Sequence, residues 1–101
     1  MPKIYNYFGI VFLFHTNEHY PIHVHATYGN YQTVFELVMK NGKVIDVVRR
    51  RKYSNELPPT QLKQAAKFVW ARKEQIAKKW IEALVHNKKV TMEKVTRKIS
   101  S

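Results

Sequence analysis

The chain has 101 residues, no cysteine, and 18 Lys and Arg against 7 Asp and Glu, for a formal charge of +11. The length allows one domain with one core and is too short for two, and an apolar content of 45% with 13% aromatic residues excludes a disordered chain. The absence of cysteine removes disulfides, thiolate zinc sites and cysteine nucleophiles together and fits a reducing cytoplasm.

Met1-Pro2-Lys3 leads straight into alternating aromatics, without the pattern of a signal peptide. From Lys3 to Phe8 the residues Ile4, Asn6 and Phe8 alternate with Tyr5 and Tyr7, Gly9 breaks the pattern, and Ile10 to Phe14 is continuously apolar. These segments predict two strands joined by a tight turn. The apolar run is far below membrane-spanning length, so a cytoplasmic protein without membrane contact is expected. A third strand is predicted over Ile22 to Tyr28, a fourth over Tyr31 to Met39 and a fifth over Lys43 to Arg49, joined by the hairpin signals Gly29-Asn30 and Asn41-Gly42.

Leu57-Pro58-Pro59-Thr60 stops the sheet and opens a helix, because proline suits the first helical turn. Leu62, Ala66, Val69, Ile76, Trp80 and Leu84 keep a three-to-four spacing to about His86. Lys73 interrupts that stripe, so either one long helix bends or two helices meet near Arg72. Trp70 and Trp80 are assigned to the helix-to-sheet core or to the bend, and His86 to the helix C-terminus as a dipole partner. After Asn87 the chain is basic, and the alternation of Val90 and Met92 allows an edge strand. The expected fold class is α+β: an antiparallel β-meander of about five strands, then one long bent helix or two helices packed on one face. It forms a single domain over residues 1–101, with the sheet in about 3–50, helices in about 59–86 and a basic tail in 87–101.

Four of the five histidines, His15, His19, His23 and His25, fall within eleven residues. Alternation puts His23 and His25 on one strand face, about 7 Å apart. If both hairpins have two-residue loops, His23 faces Glu36, His25 faces Val34, Val34 faces Arg49 and Gln32 faces Arg51. One surface then carries His23, His25, Thr27, Gln32, Glu36, Arg49 and Arg51. Such a set can cleave RNA without a metal, one histidine taking a ribose proton, the other protonating the leaving oxygen, and arginines stabilising the transition state. In this scheme Glu36 orients His23, His19 is a third proton carrier, and Arg49-Arg50-Arg51-Lys52, with Tyr53 beside it, binds phosphate. Metal binding is the competing chemistry, with a single ion on His23, His25 and Glu18, or with His19 or Glu36 completing the set. One Asp and six scattered Glu are too few for a two-metal nuclease. The plain alternative is a solvated outer face on which polar residues need no function.

The segment Asn17-Glu18-His19-Tyr20-Pro21-Ile22-His23-Val24-His25, followed by aromatic strands, by Glu56-Leu57-Pro58-Pro59-Thr60-Gln61-Leu62 and by Trp70 to Trp80, resembles a family of small bacterial proteins known as domain of unknown function four-one-six-zero. The resemblance covers nearly the full length, with Ile22 in place of the proline common in the motif. Members are often encoded beside a second small protein, and some are labelled toxin components of toxin–antitoxin pairs. The resemblance thus implies a toxin-like role with a partner protein. Combined with the charge, the expectation is a small protein that acts on nucleic acid, RNA more than DNA, by metal-independent cleavage through a histidine pair and with no cofactor. The alternatives are a non-catalytic basic module that binds nucleic acid or an acidic partner or antitoxin protein, and a single-metal histidine site.

Overall fold

Two glycine-containing turns set the register of the central sheet. The computed structural model describes residues 2–15, 21–50 and 54–99. Strands β1 (Lys3–Tyr7), β2 (Ile10–Leu13), β3 (Ile22–Tyr28), β4 (Tyr31–Lys40) and β5 (Lys43–Arg50) run as an antiparallel meander. Asn41 and Gly42 both take positive φ, 53° and 78°, as a type I′ hairpin requires. The β3–β4 turn has positive φ only at its first position, Gly29, as in a II′ turn. Phe8 and Gly9 turn β1 into β2 with φ of 49° and 84°, and the Gly9 N–H donates to Asn6 Oδ1 at 3.3 Å.

A sixth strand, β6 (Glu93–Val95), comes from the basic tail and lies parallel to β1, giving the order β5-β4-β3-β2-β1-β6. It is tied in by Val95, which is buried, and by the Ile99 N–H, which donates to the Tyr7 hydroxyl at 3.0 Å. It adds to the meander of about five strands the edge strand that the tail allowed, placed just after the Val90 and Met92 alternation.

Helix α1 (Pro59–Ala71) starts on the Pro58-Pro59 pair, and α2 (Lys73–Trp80) follows after a break at Arg72, whose φ of −110° and ψ of 16° leave the helical basin. Two helices therefore meet where Lys73 interrupts the apolar stripe, and the Lys73 ammonium donates to the Trp70 carbonyl at 3.3 Å. A π-helical turn, Ile81–Val85, ends the helical segment. Ala65, Phe68 and Val69 of α1 and Ile76, Ala77 and Trp80 of α2 are buried against Phe12, Ile22, Val24, Ala26, Phe35 and Leu37 of the sheet. Phe68 is the centre of this contact, stacked on Phe12 at 4.8 Å and edge-on to Tyr5 at 5.0 Å. Burial of one such ring contributes about 2–3 kcal/mol.

One helix assignment changes. Ala66, expected inward, is exposed, and Ala65 takes its place. The two tryptophans divide between the two places assigned to them, Trp80 buried in the core and Trp70 50% exposed beside the break. Between β5 and α1 the chain is pinned back on β4. The Gln32 N–H donates to the Asn55 carbonyl at 2.9 Å, the Asn55 amide donates to the Asn30 carbonyl, and the Leu57 N–H donates to the buried Thr33 hydroxyl at 3.1 Å. Among the described residues no helix is long and apolar enough to cross a membrane.

Candidate functional site

The β3–β4 hairpin pairs Tyr28 with Tyr31, His25 with Val34 and His23 with Glu36, the register that a two-residue Gly29-Asn30 loop requires. Since Ile22, Val24 and Ala26 face the helices, His23, His25 and Thr27 point to the other side of the sheet, with Gln32, Val34 and Glu36 beside them.

On β5 the register departs from expectation. A bulge between Val38 and Met39 shifts the pairing by one residue, so that Val34 meets Arg50, Glu36 meets Val48 and Phe35 meets Arg49. A one-residue slip moves every side chain to the opposite face. Arg50 therefore replaces Arg49 on the histidine face. Its Nε donates to Glu36 Oε1 at 2.6 Å, and its terminal Nη2 bonds the same oxygen. Arg49 lies on the helix side, 3.7 Å from Glu56. Arg51, Lys52, Tyr53, Glu18 and His19 lie outside the described residues.

His25 is 1% exposed, although it sits on the face away from the helices. Leu13 lies beside it on β2, and the His15 ring packs against it at a centroid distance of 3.8 Å. Gln32 Nε2 is 3.1 Å from His25 Nδ1. With the amide in that orientation it donates, so Nδ1 accepts and a neutral His25 carries its proton on Nε2. His15 Nε2 is buried without a hydrogen-bond partner among the described residues. His23 is half-buried, directly across from Glu36. The solvated outer face that the sequence allows is thus not what surrounds His25, which its neighbours seal.

The site brings together His23, His25, Glu36, Gln32 and Arg50 and separates Arg49 from them. Among the described residues no group of three or more His, Asp or Glu is placed to hold a metal ion, and Glu18 of the alternative set with His23 and His25 lies outside them.

The acidic side chains are largely engaged within the protein. Glu36 and Glu56 meet Arg50 and Arg49, Glu93 lies 3.6 Å from Arg72, and Glu74 Oε2 accepts the Val44 N–H at 3.0 Å. Most lysines, by contrast, are exposed: Lys40, Lys43, Lys63, Lys67, Lys78, Lys88, Lys89, Lys94 and Lys98 all face solvent.

Two groups escaped the sequence reasoning. Tyr5 is buried, and burial pushes its phenol above the usual range. The nearby Arg72 guanidinium, 5.6 Å from the ring, partly opposes this, and Glu93 adds to it. Trp70 shares the outer face of α1 with Lys63 and Lys67. The signal was its phase: it follows them by seven and three residues, opposite the Ala65–Phe68–Val69 stripe.

Residues 9–81 match the family model described as a domain of unknown function, DUF4160. The comparisons with curated proteins and with solved structures give no match. The matched span runs from the β1–β2 turn through α2, contains His23, His25, Glu36 and Arg50, and covers more than half of the chain, which therefore belongs to the DUF4160 family.

Proposed function

We propose that this protein is a small RNA-binding module whose cations hold phosphates, and that its buried histidine serves the fold. The observation that carries this reading is the contrast on one sheet face. His25 is sealed at 1% exposure, whereas the Arg50 side chain is 55% exposed and oriented by Glu36. Cleavage by a histidine pair needs both rings at the same phosphate. A guanidinium steered by a carboxylate needs only surface, and its fork matches phosphate geometry. Because Glu36 neutralises part of that charge, Arg50 supplies direction, and the exposed lysines supply most of the long-range attraction. An acidic antitoxin-like partner would compete for the same cations, which connects this reading to the toxin-like role implied by the sequence resemblance.

One observation favours a catalytic reading as the alternative. The half-buried His23 lies directly across from Glu36, whose carboxylate is held by Arg50. In that reading Glu36 orients His23 as a base, and His19 is the remaining candidate for the proton donor.

Incubation of purified protein with labelled single-stranded RNA separates the two. Binding is followed by fluorescence anisotropy and RNA integrity by gel. The module reading expects saturable binding to RNA that stays intact. Cleavage abolished by His23→Ala would establish the catalytic reading instead, and neither binding nor cleavage would refute both.

A further inference from the structure

Trp70 is 50% exposed while Trp80, the only other tryptophan, is 2% exposed. A large aromatic side chain left in water is informative when its surroundings are charged. Here the charged side chains of α1 are both lysines. Lys63 and Lys67 are exposed and stand seven and three residues before Trp70, within one arc of α1, which rises about 1.5 Å per residue and so spreads Lys63 to Trp70 over about 10 Å. Lys73 places its ammonium 4.1 Å from the centre of the Trp70 ring and bonds the Trp70 carbonyl, which fixes the ring beside the break at Arg72. Ala66, between the two lysines, leaves the strip flat. The nearest acid in sequence, Glu74, is turned away, because its carboxylate accepts the Val44 N–H at 3.0 Å.

We propose that the outer face of α1 is a stacking platform for single-stranded RNA, on which Trp70 takes one base and Lys63, Lys67 and Lys73 take the flanking phosphates. A π-face between regularly spaced cations matches a chain that alternates bases with phosphates. An acidic protein would use the lysines but would leave the indole without a partner of its own kind. A duplex would present phosphates but hide its base faces. The platform lies on the helix side of the sheet, whereas Arg50 lies on the other, so the two surfaces stand or fall separately.

The test uses the intact protein and a short labelled oligouridylate, read by anisotropy and by tryptophan emission in parallel titrations. Trp80 is shielded by the core, so a change in emission reports Trp70. The expected result is quenching that saturates along the anisotropy curve and disappears in Trp70→Ala, whose affinity falls at least about fivefold. Lys63→Gln with Lys67→Gln should weaken binding and lower the salt dependence by about one to two units. Both variants should melt with the wild type, because none of these side chains is buried. RNA binding with unchanged emission in the wild type, and with Trp70→Ala within about twofold of wild type, would overturn the platform while leaving the Arg50 surface intact. Equal quenching by an oligoglutamate would overturn it in favour of an acidic protein ligand. Absence of any RNA binding would overturn both surfaces.

Discussion

Replacing His25 by alanine separates a buried structural imidazole from an exposed catalytic one. The ring is 1% exposed, packs on His15 at 3.8 Å and meets the Gln32 amide at 3.1 Å. Truncation removes a side chain comparable in size to leucine from a closed site, a change that costs about 2–5 kcal/mol in apolar cores. Gln32 is half-exposed, so water can take over its amide and the lost hydrogen bond adds little. We therefore expect a loss of about 2–3 kcal/mol for His25→Ala and under about 0.5 kcal/mol for the half-buried His23→Ala. For a domain of this size those losses shift the melting temperature by roughly 10–20 °C and by less than about 4 °C. Thermal and urea unfolding followed by circular dichroism measure both. Equal, small shifts for the two variants would refute the structural role of His25 and return it to the list of functional groups.

Three further outcomes are expected. Thr33→Val strands the Leu57 N–H, which donates to the Thr33 hydroxyl in a buried position, and should cost about 1–3 kcal/mol in urea unfolding, with Thr33→Ser costing clearly less. Tyr5 has its phenol pKa raised by burial, so the folded state holds its proton where the unfolded chain, near 10.0, has lost it. The stability this provides is complete below about pH 10 and is lost as pH rises through the folded value, so Tyr5→Phe should flatten the alkaline fall in stability that the wild type shows above that point. Arg50→Gln leaves the Glu36 carboxylate without its guanidinium and should cost about 1–2 kcal/mol, a figure discounted because the Arg50 side chain is half in solvent. Glu36→Gln in the same chain should restore most of it, and a double-mutant cycle with zero coupling would show that the pair contributes nothing.

The β3–β4 hairpin was legible in the sequence because Gly29-Asn30 fixes one register and the alternation from Ile22 to Tyr28 fixes which side is apolar. The next hairpin carried an equally clear turn, Asn41-Gly42, yet its register could not be read. The bulge is an extra residue on β5: Val38 pairs with Asp46 and Met39 with Val44, which leaves Ile45 over, and the apolar succession Val44-Ile45 gives no sign of it, yet that single residue exchanged Arg49 for Arg50. Alternation gave His25 its face but not its burial. A strand reveals which way a side chain points, and what covers that side depends on Leu13 and His15, which are distant in sequence. The helix break was visible at Lys73 because a charge interrupts the stripe. Trp70 falls beside that break, one of the two places assigned to the tryptophans, and its helical phase sets it with Lys63 and Lys67 on the outer face. The strand β6 depends on a parallel pairing with β1, a long-range contact that local alternation cannot specify.

The central claim is that this chain holds RNA through its phosphates. It is tested most directly by the salt dependence of the association constant for single-stranded RNA with the wild-type protein. If the basic surface makes four or more phosphate contacts, log K should fall linearly with log salt at a slope of about −3 or steeper, and the RNA should be recovered intact. A slope near zero, or no binding at about 50 mM salt, where phosphate contacts are strongest, would contradict the account.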